Sequence, residues 1–345
     1  MITIYTIQES EKWDSIVRSF LEYDVYYLSG YVKAFGLHGD GDPCLLYYES
    51  PLLRAIYVYM RRATCLEGVF DSVTPYGYGG VLFEGDTSEE NKQLFWNEYL
   101  SAMAQEHIVD NFVRYHPVLQ NAGPMKSISN VIDLGKTIAF DLTSSELIWD
   151  NIIGKNRNMI RKAEKKGVEI CHGKDIALFR DFKRIYDATM DNDHAEEYYY
   201  FEDAFYESIH RDLHEDFEMF YAVYNGQIIA MSIMLFANKQ MHYHLSGSVL
   251  EYRNLAPSNL LLYKAALWGC EQGFKTFHLG GGVGSGEDSL YKFKAAFNKN
   301  SDYQFSIGKQ IFDQKKYDAL VRIRKESDPS FNEESQFFPL YRALS

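Results

Sequence analysis

The alternation of apolar and polar positions is clearest in the second half of the chain. Phe217-Glu-Met-Phe-Tyr-Ala-Val-Tyr224 is rich in β-formers and stops at Asn225-Gly226, a dipeptide suited to a two-residue hairpin. Ile228 to Ala237 is apolar except for one Ser and predicts a buried strand. Asn238-Lys-Gln240 turns the chain, and Met241 to Ser248 predicts a third strand, so the three form an antiparallel meander. Pro257-Ser-Asn259 opens a helix, because proline's missing N–H is no loss in a first turn. Leu260 to Gln272 continues it with Leu261, Ala265, Leu267, Trp268 and Cys270 on a broad apolar face, and Gly273 closes it. Lys275 to Leu279 predicts a short strand running into Gly280-Gly-Gly282, followed by a helix over Ser289 to Phe297 and a last strand over Tyr303 to Phe312.

The first half follows this order more loosely. Cys44 to Glu49 and Leu53 to Arg61 predict a hairpin across Ser50-Pro51. A loop rich in glycine and tyrosine, Asp71 to Gly80, comes next, then a helix over Asn91 to His107 and a strand over Phe112 to His116. The architecture therefore repeats without a repeat of residues. The polar stretch Gln120 to Ser129 suggests a link. The expected division is a first domain over 1–140, a second over 141–327, and a C-terminal segment, 328–345, that packs back onto the first.

Composition narrows the function. The chain has 345 residues, 46% of them apolar, enough for a proper core in one large or two ordinary domains. Its formal net charge of −13 argues against broad coating of nucleic acid, DNA included, which is driven by phosphate neutralisation. The start of the chain lacks the basic-then-apolar pattern of a signal peptide, and no apolar run is long enough to span a bilayer, so a cytoplasmic protein without a transmembrane segment is expected. Cys44, Cys65, Cys171 and Cys270 are too scattered for a zinc knuckle or a disulfide framework and predict buried free thiols.

One strongly basic segment stands out in this acidic chain, Lys155 to Lys166, closed by Gly167. Arg157, Arg161 and Lys165 share one helix face, and Ile153, Ile160 and Ala163 on other faces can anchor it. The face is either solvated or built to meet an anion. The stretch Phe277 to Phe297 carries more chemistry. A strand ends in glycines whose N–H groups can approach a ligand, and a helix start follows with Lys292 and Lys294. That suits a phosphate or a developing oxyanion. It is neither a Walker motif nor a dinucleotide fingerprint. His242 and His244 alternate on a strand, but no third ligand at suitable spacing accompanies them, so no metal is expected. No nucleophile elbow is present.

The order from Phe217 to Phe312 resembles the GNAT acyltransferase fold. More specifically, the chain looks like the FemABX family, whose members carry two GNAT-like domains. Three blocks carry the resemblance: Thr74-Pro-Tyr-Gly-Tyr-Gly-Gly80, the Lys155 to Gly167 helix, and Tyr252-Arg253 through Pro257-Ser-Asn259 to Leu290-Tyr-Lys-Phe-Lys-Ala-Ala-Phe297. The resemblance implies an α/β (α+β) protein of two tandem GNAT-like domains, each a mixed, mainly antiparallel sheet flanked by helices. It implies transfer of an acyl group, acetyl or aminoacyl, to an amine on a cell-envelope precursor or a related small molecule. The co-substrate is acyl-CoA or aminoacyl-tRNA, and no tightly bound cofactor is expected. Some relatives build peptidoglycan bridges from aminoacyl-tRNA; the long coiled-coil arm that some of them insert in the second domain is absent here, which removes one tRNA contact. The motif lysine of the family's Phe-Lys-x-x-Phe block matches Lys294.

The expected site therefore comprises Lys294 and His244 in catalysis, Tyr76, Tyr78, Lys155, Arg157, Arg161 and Tyr291 at the acceptor, and Gly280, Gly281, Gly282 and Lys292 at the donor. The general base is open among His244, Glu251 and solvent. A non-catalytic saccharide- or peptide-binding module on the same fold is the alternative of a different class, and release of thiol from acetyl-CoA separates the two. The scattered cysteines and incomplete histidine set predict activity that survives a chelator. Loss of activity with a chelator and its return with zinc would overturn this.

Overall fold

The computed structural model describes residues 1–343, and the chain forms two compact units. The first stretch holds β1 (Ile2–Thr6), α1 (Ser10–Arg18), α2 (Ser29–His38), β2 (Asp42–Glu49), β3 (Leu53–Ala63), β4 (Phe70–Val73), β5 (Leu82–Gly85), α3 (Glu89–Gln105), β6 (Ile108–Arg114) and α4 (Ala122–Met125). Then come β7 (Val131–Asp141), α5 (Ser145–Asn151), α6 (Gly154–Lys165), β8 (Glu169–Gly173), α7 (Ala177–Asn192), α8 (Asp203–Asp212), β9 (Phe217–Tyr224), β10 (Gln227–Ala237), β11 (Gln240–Ser248), α9 (Pro257–Glu271), β12 (Thr276–Gly280) and α10 (Ser289–Ala295). The chain ends with β13 (Tyr303–Ile311), α11 (Gln314–Ser327) and a short tail.

The second unit, Gly135–Gln304, is contiguous. Its strands run in the order β7-β12-β11-β10-β9-β8, antiparallel throughout except for the parallel pair β11/β12. The predicted meander is β9-β10-β11, with the hairpin at Asn225-Gly226, both in the left-handed region. β10 reads as an unbroken apolar run because it is central: Ile229 to Leu235 are all buried. The core joins Phe140, Ile160, Phe220, Leu261, Phe277 and Phe297.

The first unit is Met1–Leu134 together with the chain from Phe305 onward. Its strands run β1-β2-β3-β4-β6-β13, with β5 also on β3, and β4/β6 is its parallel pair. Hairpin, strand, long helix and parallel strand thus occur in each unit, as β2-β3-β4-α3-β6 and as β9-β10-β11-α9-β12. The boundaries differ from the sequence reading. The second unit begins at 135, and residues 305–327, expected in it, belong to the first, because β13 pairs with β6 from Ile307↔Arg114 to Ile311↔Asp110. The strand expected at Phe112 to His116 starts earlier, at Ile108. Cys65 is exposed where a buried thiol was expected, because it lies in the turn after β3.

The tail returns to the first unit through a buried polar knot. Arg62 lies directly opposite Asp71 across β3 and β4, with Nε 2.6 Å from Oδ1. The Tyr341 hydroxyl lies 2.9 Å from Asp71 and 2.7 Å from Asp110, and Arg342 Nε binds Asp71 at 2.5 Å. Both carboxylates are fully buried. Two arginines hold Asp71, whereas burial, reinforced by Asp71, pushes the Asp110 carboxyl up to about 7 against the pull of Tyr341, Arg62 and Arg342. Only residues 344–345 of the C-terminal segment lie outside the described residues.

A raised carboxyl value means that the folded state keeps a proton the unfolded state has lost. Between about pH 4 and about pH 7 the fold binds more protons, so Asp110 makes stability fall as pH rises across that window and adds no slope above it. Asp110→Asn should remove this contribution, so the variant gains on wild type by on the order of a few kcal/mol from pH 4 to 7. Denaturant unfolding across that range checks it; a difference that does not change with pH would refute it.

Candidate active site

In the second unit the ladder between β11 and β12 has three registered pairs, Gln240↔Thr276, Met241↔Phe277 and His242↔His278. Both strands continue, β11 to Ser248 against β10 and β12 to Gly280 against β7, but not against each other. Beyond His242 and His278 their facing edges part. A β-bulge falls just there. Ile233 pairs with Leu245 and Met234 with Tyr243, so His244 is the extra residue. The alternation that would put His242 and His244 on one face does not carry through the bulge. His242 and His278 are buried with rings 5.7 Å apart, and His278 Nε2 lies 2.9 Å from Thr137 Oγ1. Burial, with His242 nearby, pushes the His244 ring down to about 3. It is a neutral ring at working pH and a weak proton acceptor.

β12 ends in the three glycines. Gly280 is left-handed, at φ 81°. At Gly282 a Cβ would lie 2.3 Å from Gly286 O and near the Asp288 carboxylate. The loop folds back on Asp288, which sequence reasoning missed although an acid just before Ser289 is an N-cap signal. Its Oδ1 accepts from Tyr291 N (2.8 Å) and its Oδ2 from Val283 N (3.1 Å), so it caps α10 and closes the loop together. On α10, Phe293 and Phe297 pack edge to face at 5.3 Å, Tyr291 is half-buried, and Lys292 is exposed. Lys294 is buried and donates from Nζ to Gly281 O at 2.7 Å. Burial pulls its ammonium down to about 8, with Asp288 opposing. The cation is thus tied to the strand end where β12 has left β11.

The basic helix is α6. Ile160 and Ala163 are fully buried, whereas Ile153 is 37% exposed and does not anchor it. The Arg157 and Arg161 guanidiniums lie 5.8 and 5.0 Å from the Trp149 ring centre, so part of the basic face is spent on an aromatic. Lys155 is exposed. α6 is fixed to the start of α9: Asn259 Nδ2 donates to Asn156 Oδ1 at 2.7 Å, and Lys162 Nζ donates to Asn254 O at 2.9 Å. Neither asparagine carries a sequence signal for this pairing. Just before α9, Ala256 is left-handed, at φ 56° and ψ 45°, and no side chain caps the helix. An uncapped first turn, strained at its entry, presents N–H groups beside a basic helix. Glu251 is exposed on the turn after β11.

Tyr76 and Tyr78 lie in the first unit and pack there. Tyr76 stacks on Phe35 at 5.4 Å, and its carbonyl accepts from the Tyr31 hydroxyl at 2.5 Å. Tyr78 lies 5.8 Å from Tyr26 and from His116, whose Nε2 is 2.9 Å from Asp24. Gly77 and Gly80 are left-handed against Tyr26 and Tyr115. Both tyrosines stay half-buried, so each keeps an accessible part.

Residues 154–294 match the family model for an acetyltransferase (GNAT) domain. The second unit carries a GNAT acyltransferase domain. Among solved structures the chain resembles FemX with a TM-score of 0.68 at 15% identity, over 92% of this chain and 99% of that one. The C-terminal domain of a putative lysylphosphatidylglycerol synthetase from Agrobacterium fabrum gives 0.58 at 16% identity, over 88% and 92%. L-PGS from Bacillus licheniformis gives 0.50 at 13% identity, over 86% and 91%. These likenesses establish a FemX-like fold. No curated protein matches the chain by sequence. No helix among the described residues is long and apolar enough to cross a membrane.

In the GNAT domain, the close approach at Gly282 gives a sharp test of the loop. Gly282→Ala should displace Asp288 or Gly286, uncap α10 and cut turnover at least tenfold. Gly286→Ala is the control, since its Cβ would meet nothing closer than 3.6 Å. Equal turnover by the two variants would show that the loop need not hold this shape.

Proposed function

We propose that the second unit transfers an acyl group from an activated donor, acyl-CoA in the first instance, to an amine by direct attack on the carbonyl. The carrying observation is the buried Lys294 ammonium fixed to Gly281 where β11 and β12 part. The glycine-rich end of β12, beyond its last pair with β11, lets backbone approach the thioester carbonyl. The uncapped start of α9, with Lys162 of α6 beside it, suits the donor's phosphates. Gly280, Gly281 and Gly282 let backbone approach the donor, and exposed Lys292 adds charge at its rim. Tyr291 lines the acceptor side, with Arg157 and Arg161 further along α6. Lys294 stabilises the oxyanion as carbon–sulfur cleavage releases the thiol. The weak base His244 leaves proton removal from the amine to solvent or Glu251.

A second reading has specific support. FemX and the lysylphosphatidylglycerol synthetase domain share the fold, and the latter's name specifies an amino-acid-bearing product, which favours an aminoacyl group and aminoacyl-tRNA as donor. A cell-envelope precursor is then the acceptor class. Acetyl-CoA and aminoacyl-tRNA, each offered with a panel of amines, separate the donors by thiol release against loss of tRNA-bound amino acid. Inertness towards both favours the binding-module alternative.

Lys294→Met keeps the stem and deletes the charge. It should lower turnover by about 10²–10³. Its melting temperature should hold or rise, because the variant no longer desolvates a cation. Wild-type activity should fall as pH rises through about 8, where Lys294 loses its proton. Exposed Lys292→Met should leave turnover within a few-fold. Steady-state kinetics across pH test this, and a Lys294 variant that turns over like wild type removes the lysine from the mechanism.

A further inference from the structure

α7 and α8 of the second unit enclose a cleft of about 540 Å³ whose lining comes from these two helices and the residue just before α7, and includes none of the residues assigned to acyl transfer. Along α7, Phe179, Arg180, Lys183, Arg184 and Asp187 recur at helical spacing; α8 faces them with Asp203, Tyr206 and Glu207. Tyr206 is only 2% exposed, and its ring is held against Phe179 and Phe182 at 5.9 and 5.8 Å. Its buried hydroxyl has no hydrogen-bond partner among the described residues, and the same holds for Asp187 Oδ1. A tyrosine hydroxyl usually finds a partner when buried, so two such atoms in the wall of one cleft point to a ligand that supplies what they lack.

The charges say which ligand. Lys183 Nζ binds Asp187 Oδ2 at 2.9 Å and the Phe201 carbonyl at 3.0 Å, and Arg184 reaches Asp181 at 3.4 Å. Arg180, Asp203 and Glu207 take part in none of these pairs. Six charged groups line the cleft, three cationic and three anionic. A plain anion would sit against Asp187, Asp203 and Glu207, and a plain cation against Arg180. A molecule with an ammonium and a carboxylate matches both walls. We infer that this cleft binds a zwitterionic amino acid or short peptide, its carboxylate taken by the Tyr206 hydroxyl and Arg180, and its ammonium by Asp187 Oδ1 with Asp203 and Glu207 at the rim. The volume suits a ligand of that size.

Calorimetric titration of the full chain with L-alanyl-L-alanine tests this, beside N-acetyl-alanyl-alanine, which keeps only the carboxylate, and alanyl-alanine amide, which keeps only the ammonium. The zwitterion should bind saturably, and each blocked peptide should lose about tenfold or more in affinity. Tyr206→Phe should cost a similar factor. If that variant melts early, the double variant Asp203→Asn with Glu207→Gln, both exposed, decides by the same loss. Lys294→Met should bind as wild type, which keeps this site distinct from the acyl-transfer site. Three peptides bound alike, none bound at millimolar concentration, binding unmoved by folded cleft variants, or binding abolished by Lys294→Met would each overturn it.

Discussion

The second unit depends on two parallel strands that stay paired for three residues and then part. A strand edge inside a fold costs free energy unless its N–H and C=O groups find partners. Here β10 and β7 hold the outer edges, while the inner edges diverge after His242 and His278. The bulge at His244 sharpens the divergence, because an extra residue bends its strand. The glycine loop, the Asp288 cap and the buried lysine then follow from the need to end β12 beside an open edge.

The same opening decides why a lysine sits in an apolar setting. Phe293 and Phe297 seat α10 in the core, which brings Lys294 under cover and leaves its charge poorly solvated. One carbonyl, that of Gly281, partly compensates. In the reaction proposed above, a cation this poorly solvated can meet a developing negative charge, whereas an exposed lysine such as Lys292 is already solvated by water.

Most of the second unit was legible from sequence because its signals are local. Asn225-Gly226, the apolar run of β10, Pro257 at the start of α9 and Gly273 after it each fix a boundary within a few residues. The Phe-Lys-x-x-Phe spacing likewise marks Lys294 as a residue of a packed helix. What could not be read was register and long-range pairing. Nothing in Met241 to Ser248 announces that His244 bulges, since a bulge is set by the neighbouring strand. β13 looks like a strand of the second half and is claimed by β6, a choice made by tertiary pairing. Trp149 beneath Arg157 and Arg161, and Asn156 against Asn259, join residues whose sequence distance hides them.

The arrangement of the two units along the chain has a consequence for synthesis. Residues 135–304 hold β8 to β12 whole and most of β7, so that unit can close while the rest is still being made. The first unit is started earlier yet finished later. β6 waits for β13, and Asp71 and Asp110 wait for Tyr341 and Arg342, residues about 230 to 270 positions away. Until then β4 and β6 carry two carboxylates with no tyrosine or second arginine to cover them. The half that is translated first is therefore the last to become native, and a nascent chain stalled before residue 305 presents a finished catalytic unit attached to an unfinished one.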